Sequence, residues 1–226
     1  WLCDMGVVAS ENDRDYLLKT YHLSGKKIKI IPNYVDTNLF SSLSSPIFDH
    51  RVVFVGRLTA QKNLPLLIEA LAGTNLELDI IGSASLPEQD IVQNHLQKMS
   101  DYHGVTIRFL GMIPNEHLPG ILNQYSVFVL PSLYEGTPKA LLEAMSCGLA
   151  CLATNVTGNK EIINDQQNGL LVEANPDSLR KGILRLLSNS SLRVQLGQKA
   201  RSFVVKNFSL HSQIEKELAI YQELIP

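Results

Sequence analysis

The chain has 226 residues, 20 of them basic and 22 acidic, for a formal net charge of −2. Hydrophobic residues make up 45% and charged ones 19%, which supports a sizeable core and excludes a disordered chain. There is no basic stripe for a nucleic-acid footprint, no apolar run of the roughly 18–20 residues that span a bilayer, and no visible signal peptide.

At the amino end, Val7-Val8-Ala9-Ser10 reads as a strand, Glu11 to Tyr21 as a helix and Ile28-Lys29-Ile30-Ile31 as a second strand stopped by Pro32. About forty residues are too few to bury an independent core, so residues 1–40 read as the tail of another domain. The start at Trp1 rather than Met agrees with a fragment or a processed product. Ser41-Ser42-Leu43-Ser44-Ser45-Pro46 is polar and closed by proline, which places a linker at residues 41–50.

From residue 51 the pattern alternates. Val52–Val55, Leu78–Ile81, Val105–Leu110 and Val127–Leu130 are short apolar runs, each ending at Gly or Pro, as buried parallel strands do. Leu64 to Leu71, Glu88 to Met99 and His117 to Asn123 carry helical patterns between them. A strand at Leu149–Ala153, a short one at Leu170–Val172, and helices at Asp177–Leu187 and Leu192–Lys206 follow. Strand–helix alternation predicts an α/β fold, a doubly wound parallel sheet over residues 51–208. The segment 209–226, with an amphipathic Ile214 to Leu224, is expected to pack back toward the first forty residues and to share an apolar face with them. Cys3, Cys147 and Cys151 lack paired metal-ligand spacing, which points to a reducing, cytoplasmic compartment, and Cys147 and Cys151 read as small core residues.

Ligands of doubly wound sheets gather at the carboxyl ends of the strands. That rule puts Gly56-Arg57, Gly82-Ser83, Gly111-Met112 and the loop at Glu135 on one rim. Glu135 and Glu143 stand eight positions apart across Gly136-Thr137-Pro138. Thr137 suits a helix cap and Pro138 a first helical position, so the following amides form a seat for phosphate. Glu135, a loop residue, has no evident structural task, and Glu143 would point back over the seat. Arg57 and Lys62 supply two cations that could meet a diphosphate, although surface placement is the ordinary fate of both residue types. Asp13-Arg14-Asp15 is the only Asp-x-Asp; inside a helix its two carboxylates do not face each other, so it reads as solvated surface and no metal site is assigned.

Gly56-Arg57-Leu58, Gln61-Lys62-Asn63 and the Glu135…Glu143 stretch resemble the retaining glycosyltransferases of family 4, which have the GT-B fold. Val8-Ala9-Ser10 and Ile30-Ile31-Pro32-Asn33-Tyr34-Val35-Asp36…Phe40 are similar to that family's segment joining the amino-terminal domain to the donor domain. The resemblance implies a Rossmann-like, donor-binding half at 51–208, with residues 1–40 a remnant of the acceptor-side domain. It implies that Arg57 and Lys62 assist departure of the diphosphate and that Glu135 holds hydroxyls of the transferred sugar. Gly56, Gly82, Gly136, Thr137, Pro138 and the amides of Ala140 and Leu141 would lie along the phosphates, Glu143 on the ribose and Met112 on the base. Ala84 stands where relatives often carry a second glycine, and Val156–Glu161 is similar to a loop near the sugar.

The implied activity is metal-independent transfer of a sugar, with retention, from a UDP-, GDP- or ADP-sugar to a carbohydrate or lipid-linked acceptor in polysaccharide or glycolipid synthesis. No separate cofactor is implied. The full enzyme would sit in the cytoplasm or at the inner face of the membrane, and this chain would need its amino-terminal domain or a partner chain for turnover. A sugar-nucleotide epimerase of the same fold and a non-catalytic subunit of a split transferase are the rival readings.

Overall fold

The computed structural model describes residues 5–43 and 48–224. Cys3 and the Ser44–Pro46 part of the expected linker lie outside them.

Two strands, β1 (Gly6–Val8) and β2 (Ile28–Ile30), pair in parallel around helix α1 (Glu11–Tyr21). Ser10 caps α1 by accepting from the Asp13 amide, so the helix starts where its sequence predicts. The main sheet has six parallel strands: β3 (Arg51–Val55), β4 (Glu77–Ile81), β5 (Thr106–Gly111), β6 (Val127–Leu130), β7 (Ala150–Thr154) and β8 (Leu170–Val172). Their spatial order is β5-β4-β3-β6-β7-β8. Every residue of β6 and β7 is buried, which explains their unbroken apolar sequences.

Helices α2 (Leu64–Leu71) and α3 (Gln89–His103) join strands on one wing of the sheet, and α5 (Lys139–Ser146) joins them on the other. A right-handed crossover therefore puts α2 and α3 on one face and α5 on the opposite face. The short helices α4 (Leu118–Leu122) and α6 (Thr157–Lys160) precede β6 and follow β7. Helix α7 (Pro176–Leu187) packs on α2, and α8 (Ser190–Asn207) packs on α5, completing the two layers of a doubly wound fold.

Several bounds differ from the sequence expectation, β1 ending at Val8 rather than Ser10 and α8 starting at Ser190 rather than Leu192 among them. Helix α3 runs past Met99 to His103 because the left-handed Gly104 (φ 64°) is what ends it. The last helix, α9 (Leu210–Leu224), begins before Ile214, at Ser209, whose hydroxyl accepts from the Ser212 amide. Val156–Glu161, read as a loop, contains α6. Helix α9 reaches the first sheet through Lys29 Nζ and Glu223, 2.7 Å apart. Among the described residues no helix is long and apolar enough to cross a membrane.

Candidate functional site

The chain leaves β3 toward β4 on one side, and β6 toward β7 on the other, so the strand order reverses between β3 and β6. The crevice at the carboxyl ends of such a pair is where open α/β sheets bind ligands. Here the two loops beyond it are tied together. Leu133 donates its amide to the Gln61 carbonyl (2.9 Å), and Gln61 Nε2 donates to the Tyr134 carbonyl (2.8 Å). Lys62 Nζ lies 2.5 Å from Glu135 Oε1, which also accepts from Ser132 Oγ at 2.6 Å.

This corrects two expectations. Glu135 does have a structural task, since it closes the reversal point with Lys62 and its side chain is only 6% exposed. Lys62 is accordingly an ion-paired cation, while the exposed Arg57 side chain makes no hydrogen bond or ion pair among the described residues. Glu135 Oε2, by contrast, makes no hydrogen bond and is not sealed from solvent.

Glu143 occupies the second turn of α5 and is 5% exposed. Its carboxyl makes no hydrogen bond among the described residues, and Lys139 Nζ stands 4.0 Å from Oε1. Burial pushes its carboxyl up to about 7, and Lys139 opposes this only weakly. A carboxyl at this depth with both oxygens unclaimed is costly unless a donor arrives from outside.

Between the two carboxyls lies the start of α5. The cap is Pro138, one residue earlier than a first helical position, and it has no side-chain capping bond. Thr137, expected as the cap, instead donates its hydroxyl to the Ala9 carbonyl (2.6 Å), while Asn33 Nδ2 donates to the Thr137 carbonyl (2.6 Å). Both contacts come from the first forty residues. The Leu141 amide is likewise spent, on the Pro138 carbonyl at 3.2 Å. Among the described residues the amides of Lys139 and Ala140 have no acceptor at the helix start, whereas the expected Leu141 amide is bonded within it. Open amides at the positive end of a helix favour an anion.

Glycines set how close the loops come. A Cβ on Gly82 (φ 129°) would fall 2.0 Å from the Gly56 carbonyl oxygen, so Gly82 is fixed by that contact whether or not it meets a ligand. Gly56, Gly82 and Gly111 are stitched in a row, with Gly56 N–H on the Ile81 carbonyl and Gly82 N–H on the Gly111 carbonyl. A Cβ on Gly158 would fall 1.8 Å from the Gly136 oxygen, so α6 presses directly on the Glu135–Gly136 backbone. Met112 stands at the far edge of the rim, 79% exposed. Ala84 is buried, its methyl turned into the core. Asp13, expected as plain solvated surface, accepts from Ser10 Oγ (2.7 Å), and its Oδ2 lies 3.9 Å from where a Gly136 Cβ would be.

Sequence reasoning missed Ser132, and it included Asn33 and Gly158 only as members of longer segments, with no contact assigned to either. Ser132 stands three positions before Glu135 after a buried strand, a spacing that points to a local hydrogen bond. Asn33 and Gly158 act across long sequence separations that no local pattern reports.

The sequence profile of the glycosyl transferases group 1 family matches residues 38–203. An Escherichia coli UDP-Gal:alpha-D-GlcNAc-diphosphoundecaprenol alpha-1,3-galactosyltransferase is 30% identical over 99% of this chain and 61% of its own length. An alpha-maltose-1-phosphate synthase of Mycolicibacterium smegmatis is 26% identical over 98% of this chain and 63% of its own. The chain thus spans about three fifths of these two relatives. Among solved structures, a sucrose-phosphate synthase of Thermosynechococcus elongatus superposes with TM-score 0.86 at 23% identity, covering 96% of this chain and 57% of that one. An Anabaena protein in complex with UDP and glucose gives 0.87 at 19%, covering 97% and 63%. Sheet order, crevice and profile agree, and the chain belongs to the group 1 glycosyltransferases, with their GT-B architecture.

Proposed function

We propose that this chain is the donor-binding half of a retaining, family 4 glycosyltransferase that takes its sugar from a nucleoside diphosphate. One observation carries the reading: Glu143 and Glu135 Oε2 offer unclaimed acceptor oxygens on either side of two open amides at the start of α5. Hydroxyls, then phosphates, then hydroxyls is the order of polar groups along a sugar nucleotide. The ribose hydroxyls would donate to Glu143, the diphosphate would take the α5 amides, and the sugar would donate to Glu135 Oε2. Lys62 and Arg57, with the α5 dipole, would supply positive charge to the departing diphosphate, so that the step needs no metal ion. Retention follows the family 4 resemblance.

The Escherichia coli relative is named for UDP-galactose and a lipid-linked acceptor. It favours a UDP-sugar donor, a lipid-linked or carbohydrate acceptor, and work in cell-surface polysaccharide or glycolipid synthesis at the inner face of the membrane. Acceptor binding and turnover would require the amino-terminal domain, or a partner chain that supplies it. A thermal-shift screen with UDP, GDP, ADP and their common sugars tests the donor reading. Stabilisation by one base series, abolished by Glu143→Ala, is expected. No response to any of them at millimolar concentration would overturn it.

A further inference from the structure

The Glu135 carboxylate is held from behind by side chains that the donor reading does not use. Ser132, Thr154 and Asn159 are each 0% exposed. Asn159 Nδ2 donates to the Thr154 carbonyl (2.9 Å), Thr154 Oγ1 donates to the Ser132 carbonyl (2.5 Å), and Ser132 Oγ donates to Glu135 Oε1 (2.6 Å). The chain of bonds runs from α6 through the end of β7 to the end of β6, and so from the rigid sheet to the one loop carboxylate at the reversal point. Lys62 completes it from the β3 side.

Resting on the donor reading, we propose that Ser132 is a positioning residue that aims Glu135 Oε2 at the sugar. Lys62 is a point charge on a flexible stem, so it can hold the carboxylate's charge without fixing its plane. Ser132 sits on a strand end whose carbonyl is pinned by Thr154, and it does fix that plane. Because Lys62 and Ser132 both donate to Oε1, one carboxylate oxygen takes both donors and the other is left facing away from them. Oε2 is the oxygen presented, since both donors to this carboxylate among the described residues go to Oε1. The backbone is held as well, because α6 lies against the Gly136 carbonyl too closely for a Cβ at Gly158.

Calorimetry on the full chain tests this, using the nucleoside diphosphate selected by the screen and its sugar conjugate. Ser132→Ala is expected to weaken the sugar conjugate about tenfold, one hydrogen bond's worth, and to leave the free diphosphate unchanged. Thr154→Val should do the same more weakly, and Thr154→Ser should restore wild-type selectivity. In a Glu135→Ala background, Ser132→Ala should cost nothing further. Equal weakening of free and sugar-bound diphosphate, or a full loss that persists without Glu135, would overturn the positioning role while the donor reading stands. Wild-type chain binding the two ligands equally would overturn it too. Wild-type chain binding none of the nucleotides would bring down the donor reading itself.

Discussion

Two buried carboxylate clusters in this sheet have opposite hydrogen-bond accounts. Asp79, in the middle of β4, is 0% exposed and saturated. Arg108 Nε donates to its Oδ1 (2.6 Å), the same guanidinium and Tyr125 OH (2.5 Å) share its Oδ2, and Arg51 NH1 stands 3.7 Å away. Burial alone would raise its pKa, but the bonds from Arg108 and Tyr125 outweigh that and keep it low. Tyr125 is pushed up in turn, by burial and by its bond to Asp79. At the carboxyl ends of the strands, Glu143 is almost as deep yet unbonded, and Glu135 is bonded on one oxygen only. A buried charge whose acceptor sites are filled from within is a structural part. One whose acceptor sites are left open keeps them free for a donor from outside.

The sharpest way to break the contrast is to empty the closed cluster. Asp79→Ala leaves the buried Tyr125 hydroxyl and the partly exposed Arg108 without their acceptor, while Arg51 keeps Glu77 at 2.7 Å, and should cost about 2–3 kcal/mol in chemical denaturation. Nucleotide affinity of the remaining folded protein should not change. A variant that keeps its stability but loses nucleotide would erase the distinction between the two regions.

Next comes the open cluster's dependence on pH. Glu143 has a folded-state pKa of about 7 against an ordinary 4.5, so the folded chain holds that proton more tightly than the unfolded one. Its contribution to stability is fully present below pH 4.5 and is lost as pH rises through 7. The wild-type minus Glu143→Gln difference in unfolding free energy should therefore fall by up to about 3 kcal/mol across that window. Nucleotide affinity should move the other way, rising with pH as the carboxylate becomes a full acceptor for the ribose hydroxyls. Parallel titrations of unfolding and binding check both signs, and a flat difference curve would remove Glu143 from the site.

The smallest effect on folding belongs to Arg57, exposed and without an ion pair. Arg57→Ala should leave stability within about 0.5 kcal/mol of wild type. It should weaken the free diphosphate about tenfold and a nucleoside without phosphates not at all. Equal weakening of both ligands in a binding titration would take Arg57 off the phosphate path.

The legible part of this fold lay in local patterns. Val52–Val55, Leu64–Leu71, Val127–Leu130 and Leu170–Val172 are apolar at strand or helix spacing, with Gly, Pro or Asn marking their ends, and their elements fall within one residue of expectation. Glu135, Glu143, Arg57 and Lys62 were legible as chemistry, because charged residues beside Gly-Thr-Pro and after strand ends follow rules of loop and helix termini. Their partners were not legible. Thr137 has the sequence of a helix cap and the structure of a long-range tie to Ala9, at a separation of 128 residues. Glu135 has the sequence of an idle loop carboxylate and the structure of half an ion pair with Lys62, 73 residues away.

The sequence by itself therefore determined the α/β alternation, the rim and the identity of its charged groups, since each depends on hydrophobic period or on neighbours a few positions apart. Tertiary structure alone decided which carboxylate oxygens are filled and which are open. That choice depends on which donors the β3–β6 reversal and the α6 contact bring within hydrogen-bonding distance, and no local pattern encodes it.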